Sequence, residues 1–282
     1  MKKRFLYYVI LFLFTACHSQ KNSSPFSLNK ENVEEIHIQS PFQNLKIFRE
    51  NGNWRGRFLP AQTSDPQQEL SFRSYPFDPE KVETLLDTFL ETPSQKNTPR
   101  SASSIFLEIK TPQENKSWII SNEDPLRRIA LKPSTDWRNK QIFNEDSSHV
   151  EEITLLEKNQ KITLSRNEEG EWVWKEKAQQ NLNQEWIESL ARKLARLKAI
   201  NVGEHPSADE SGLEKPLSEV LVKFRGQNTP FHVLLGNKTG QDLYYAKVEG
   251  LPDWQNEIFT VNQETAEKLM SKSSQLKWQE KK

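Results

Sequence analysis

A chain of 282 residues with 39 Lys+Arg against 39 Asp+Glu has no net charge, and neither half is strongly basic, which argues against nucleic acid as a partner. Its single cysteine, Cys17, excludes an internal disulfide framework and any cysteine-based zinc site. Hydrophobic residues make up only 34% and charged ones 28%, yet eight tryptophans and periodic apolar patterns indicate a folded chain with a hydrophilic surface, long enough for two domains.

Lys2-Lys3-Arg4 forms a positive patch, followed by the uninterrupted apolar run Phe5 to Phe14. That run is shorter than the roughly 20 residues a spanning helix needs, so residues 1–16 are expected to be an export signal. Phe14-Thr15-Ala16-Cys17 resembles the lipobox of bacterial lipoproteins, with Phe14 where Leu is usual. The resemblance implies that Cys17 is the lipid attachment site and that the mature chain is anchored to a membrane of the bacterial cell envelope, facing the periplasm or the cell surface. Stable anchoring needs more than one acyl chain, and a di- or triacylated cysteine meets that need. Residues 17–31 are polar and aperiodic, a tether.

From Glu35 to Ile38 and from Leu45 to Phe48, apolar and polar residues alternate as in half-buried strands. Gly52 marks a turn, Trp54 opens a third strand, and Pro60 to Pro76 reads as a loop. Asp78-Pro79 then starts a helix: Asp78 as N-cap, Pro79 at the first position, Phe77 and Val82 as a hydrophobic staple. Val82, Leu85, Leu86, Phe89 and Leu90 form its apolar stripe. Strands are expected at Ile105 to Ile109 and Trp118 to Ile120, and later near Arg128 to Leu131 and Gln141 to Phe143.

The design then recurs. Val33/Val150, Ile36/Ile153, Leu45/Ile162, Ile47/Leu164 and Arg49/Arg166 are each 117 apart, as are Asp136-Trp137 and Asp253-Trp254. Asn183 is the cap of a second helix whose stripe, Ile187, Leu190 and Leu194, lies 105 beyond Val82, Leu85 and Phe89. After a loop from Gly203 to Pro216, strands are expected at Val220 to Phe224, Phe231 to Leu235, Tyr244 to Val248 and Ile258 to Val261, with a last helix capped by Asn262. The expected fold is α+β: two similar tandem domains, 32–147 and 148–282, each a mainly antiparallel sheet with one packed helix.

In the second half, the Gly170-Glu171-Trp172 turn, the capped helix, Gly212-Leu213-Glu214-Lys215-Pro216, Val233 to Thr239 and Tyr244 to Val248 together resemble the DUF4340 family, a bacterial domain of unknown function, over Val150 to Leu276. The first half then looks like a diverged copy. The resemblance implies membrane tethering and association with auxiliary components of ABC-type transport systems. It carries no catalytic residues.

Catalytic and metal motifs are not legible. The five histidines lack metal-ligand spacing, and there is no GxSxG elbow, P-loop or GxGxxG. No metal, cofactor or catalytic residue is therefore expected. His37, matched by Thr154, fits a solvent-facing slot. The candidate interaction residues are Arg192 and Arg196, on the second helix, and the equivalent Trp137 and Trp254. The arginines serve either an acidic partner or lipid headgroups, or simply a solvated face on which Glu188 pairs with Arg192. The tryptophans either stack on sugars or a partner, or pack as lids over the cores. These observations favour a non-enzymatic interaction or accessory module of the envelope. The alternative is a glycan- or lipid-binding lipoprotein using the cleft between the two halves.

Overall fold

The computed structural model describes residues 28–60, 72–92, 104–157, 160–177, 180–270 and 273–276. The expected export signal, Cys17 and most of the expected tether lie outside these residues. No helix among the described residues is long and apolar enough to cross a membrane.

Alternation builds the first sheet. Strand β1 (Glu35–Gln39) buries Ile36 and Ile38, and β2 (Asn44–Glu50) sets Ile47 and Leu45 opposite them. A turn at Asn51-Gly52, both at positive φ, leads into β3 (Asn53–Leu59), and β4 (Tyr75–Pro76) adds a two-residue strand inside the expected loop. Helix α1 (Pro79–Glu91) starts as its sequence predicts, the Asp78 side chain accepting from the Glu80 N–H at 3.1 Å. Its stripe of Val82, Leu85, Leu86 and Phe89 is buried, each side chain contributing about 1.5–3 kcal/mol of transfer free energy. β5 (Ile105–Lys110) and β6 (Asn115–Ile120) complete an antiparallel sheet of order β4-β3-β2-β1-β5-β6.

Two expected strands are not formed. Residues around Arg128 belong to α2 (Pro125–Ala130), because Asp124 caps the Leu126 N–H at 2.8 Å and Pro125 takes the first helical position. After α3 (Ser134–Trp137), the Gln141 to Phe143 segment makes one isolated bridge, Gln141 to Lys198. The N–H groups of Ile142 and Phe143 both donate to the Leu197 carbonyl, so no ladder can propagate.

The second sheet comprises β7 (Val150–Glu157), β8 (Gln160–Arg166), β9 (Trp172–Trp174), β10 (Val202–Glu204), β11 (Ser218–Phe224), β12 (Phe231–Lys238), β13 (Leu243–Glu249) and β14 (Ile258–Asn262). Helices α4 (Gln184–Ala195), α5 (Ala208–Ser211), α6 (Gln263–Leu269) and α7 (Ser273–Leu276) accompany it. β10 runs into the loop expected from Gly203 to Pro216, and α5 falls within it. Ser207 caps the Glu210 N–H, and Gly212 ends the helix in the left-handed region at φ 65°.

The fold is thus α+β with two antiparallel sheets. Five strands run in one order in each, β3-β2-β1-β5-β6 and β9-β8-β7-β11-β12. Beyond β12 the second sheet continues through β13, β14 and β10, whereas beyond β6 the first gives way to α2 and α3. Each sheet with its helix encloses its own hydrophobic core, forming two lobes. The crossover falls between Trp137, in the first core, and Ile142, in the second. The slot shared by His37 and Thr154 is not equivalent in exposure: His37 is half-buried and bonded to Asn44, while Thr154 is buried.

Candidate functional site

Charged side chains concentrate where the lobes meet. Arg138, directly after Trp137, is 4% exposed, and its Nη1 donates to Glu257 Oε2 at 2.8 Å. The other carboxylate oxygen of Glu257 takes Arg73 Nη1 at 3.0 Å. The Arg138 guanidinium lies 4.0 Å from the ring centre of Tyr75 and 5.9 Å from that of Trp254, so it is enclosed by aromatic faces from both lobes. A second tie runs parallel: Arg55 reaches Asp253 at 2.8 Å through Nη1, Glu50 at 2.9 Å and Ser74 Oγ at 3.1 Å through Nε, and the Ser74 carbonyl at 3.1 Å through Nη2.

The matched arginines build two similar corners, one in each lobe. Arg166, at the end of β8, sits opposite Trp172 in β9. Its Nε donates to the Val150 carbonyl at 3.2 Å and its Nη1 to the Gly170 carbonyl at 2.8 Å, with the guanidinium 4.4 Å over the Trp172 ring. Arg49 is placed alike opposite Trp54, donating to Val33 at 3.2 Å and to Gly52 at 3.5 Å, 4.2 Å over the indole. The corners differ in their acid. Glu188 of α4 accepts from Arg166 Nη2 at 2.6 Å and from Trp172 Nε1 at 3.2 Å. Burial raises the Glu188 pKa, but hydrogen bonds from Arg166, Ser147 and Trp172 outweigh it and leave the carboxyl below its ordinary value. Glu83, 105 residues before Glu188 on α1, instead pairs with Lys30 at 3.4 Å. Lys30 also holds Asp87 at 2.6 Å, and that bond, partly offset by desolvation, raises its pKa.

The open corner lines a groove of about 590 Å³ that takes in Arg49, Trp54, Arg55, Glu83, Asn139 and Asp253, and so draws on both lobes. A second hollow, of about 480 Å³, lies on the first sheet around His37, Phe106 and Ile119, and draws on one lobe alone.

The residues singled out in the sequence fall elsewhere. Cys17 lies outside the described residues. Trp137 is 0% and Trp254 3% exposed, each within the core of its own lobe, stacked on Phe77 and edge-on to Phe259 respectively. With no open face, neither indole can stack on a ligand in this structure, and the packing alternative accounts for both. Arg192 is exposed on α4 and Arg196 is exposed at its C-cap, bonded to Asn144. Glu188 does not pair with Arg192 as expected, because Arg166 and Trp172 hold its carboxylate on the other side. The groove residues were missed, although Arg49/Arg166 and Asp136/Asp253 stood among the spaced matches.

Two elements of the family resemblance meet in space. The Asn237 side chain donates to the carbonyls of Asp209 and Glu210, closing the C-terminal end of α5 just before Gly212, and Gly236 packs against Ser211 and Leu213. Residues 123–216 match the family model described as domain of unknown function, DUF4340. A DUF4340 domain is found at residues 123–216, about a third of the chain. Its matched extent differs from the expected Val150 to Leu276: it begins before α2 and ends at Pro216. Gly212 to Pro216 falls inside it, and Val233 to Thr239 outside. No curated protein matches the chain. The solved DNA polymerase sliding clamp from Pseudomonas aeruginosa, with ligand, is 9% identical over 73% of this chain and 58% of the clamp chain, with a TM-score of 0.14. The chain thus spans less than two thirds of that protein's length, and so low a TM-score carries no argument.

Proposed function

We propose that this protein is a non-enzymatic interaction module of the bacterial cell envelope, built from two tandem copies of a DUF4340-like unit, the first diverged. Cys17 is its lipid anchor, residues 1–16 its export signal and 17–31 its tether. Its partners are envelope proteins, including components of an ABC-type transport system. The observation that carries this reading is the two-lobed junction. A buried ion pair ties the lobes together and leaves a polar groove beside it with contributions from both. Such a groove suits recognition of a partner's polar surface. The matching strand order and the paired Arg–Trp corners support descent from one duplicated unit. The alternative glycan or lipid cleft is less well supported, because the tryptophans that would stack on sugar rings are buried in the two cores.

Crosslinking in intact cells, affinity capture of the acylated full chain and mass spectrometry test the proposal. A Cys17→Ala version that keeps an export signal is the control. Enrichment of permease or other envelope subunits, lost in the control, is the expected outcome. Recovery of the same proteins from both versions contradicts anchored association.

A further inference from the structure

The two Arg–Trp corners share the backbone bonds of Nε and Nη1 and the stacking on the indole, and differ at Nη2, which in the second lobe meets the Ser147 carbonyl at 3.3 Å as well as a carboxylate. In the second lobe, Arg166 Nη2 and Trp172 Nε1 converge on Glu188 Oε2. In the first, Arg49 keeps the equivalent backbone bonds and the same stacking on Trp54, but Glu83 is drawn to Lys30. Among the described residues, neither Arg49 Nη2 nor Trp54 Nε1 has an acceptor. Both line the groove. We propose that this groove binds a carboxylate, presented by an Asp or Glu side chain in an acidic segment of a partner protein, between Arg49 and Trp54 in the place that Glu188 fills in the second lobe.

The groove's other charges are already committed. Glu50 and Asp253 are bonded to Arg55, and Glu83 is bonded to Lys30, so among the described residues Arg49 is the lining cation without a carboxylate partner. A guanidinium held by two backbone carbonyls and an aromatic face is fixed before the ligand arrives, which removes part of the ordering cost of binding. Bonds from a guanidinium to a carboxylate are charge-assisted and discriminate against the neutral amide. The second lobe identifies the chemistry: its corner already holds a glutamate side chain.

This inference rests on the interaction reading for the identity of the occupant, whereas the site's chemistry can be tested separately. The full chain, labelled at its indole nitrogens, is titrated with a blocked tripeptide carrying a central Glu and with its Gln counterpart, Trp54→Phe assigning the resonance. The Glu peptide is expected to move the Trp54 indole signal saturably and leave that of Trp172 in place. The Gln peptide is expected to bind roughly tenfold more weakly or not at all. Arg49→Gln is expected to abolish the shift. Equal responses to the two peptides, or none in the unmodified chain, overturn the proposal, even if Arg49→Gln fails to fold. Peptide binding without any anchored partner in capture would remove the interaction reading and leave the site. Capture of a partner without a peptide response would do the reverse.

Discussion

A carboxylate's contribution depends on what it leaves behind when it is removed, and Glu188 and Glu83 separate the two cases. Glu188→Ala strips the acceptor from Arg166 and from the indole N–H of Trp172, both in a part-buried corner, so the expected loss is about 1–3 kcal/mol in urea denaturation. Glu83→Ala breaks an exposed ion pair with Lys30, and the expected loss is below about 1 kcal/mol. The pH dependence follows from the lowered pKa of Glu188. A depressed folded-state value adds stability that is present above the ordinary carboxylate value of 4.5 and is lost as pH falls through the folded value. The stability gap between the unmodified chain and Glu188→Gln is therefore expected to be widest near neutral pH and to close on acidification. A gap that is constant across that range contradicts the assignment.

Among the elements, the contact between α5 and β12 depends on a strand passing very close to a helix end. A Cβ at Gly236 would stand 2.0 Å from the Ser211 carbonyl oxygen, a backbone atom that cannot rotate away. Gly236→Ala is therefore expected to cost about 1–3 kcal/mol, more than Asn237→Ala, which leaves the α5 carbonyls to water. Thermal unfolding of the two variants checks the order. Local chemistry made much of the fold legible: the caps at Asp78, Asn183 and Asn262, the staple at Phe77 and Val82, and the shared strand register all act within a few residues. The same chemistry at Asp124-Pro125 was present but overlooked, because the apolar residues that follow also satisfy a short strand pattern. The site was less legible. Spacing reveals that Arg49 and Arg166 are equivalent, but which acid each faces depends on where Lys30 draws Glu83. The Arg138–Glu257 pair joins residues 119 apart, and no periodicity reports it.

At the scale of the molecule, that pair governs whether the lobes behave as one body. Each lobe has its own core, so the chain has the makings of two independent folding units. Among the described residues, coupling falls to the crossover and to ties that include Arg138–Glu257, Arg73–Glu257, Arg73 to the Asp253 carbonyl, and Arg55–Asp253. Glu257 is 6% exposed, and its removal strands the buried Arg138 guanidinium between Tyr75 and Trp254, a loss of about 3–5 kcal/mol for a buried charge without its partner. Asp253→Ala leaves Arg55 with Glu50 and Ser74 near the surface and is expected to cost far less. Calorimetry of the unmodified chain should give a single transition, and Glu257→Ala should split it into two as the lobes uncouple. Pairing Glu257→Leu with Arg138→Met removes both charges and restores packing, so most of the stability should return. A single transition in Glu257→Ala, shifted but unsplit, would mean that the crossover backbone and the Arg55–Asp253 tie suffice to couple the lobes. The groove beside the junction would then keep its shape without the ion pair.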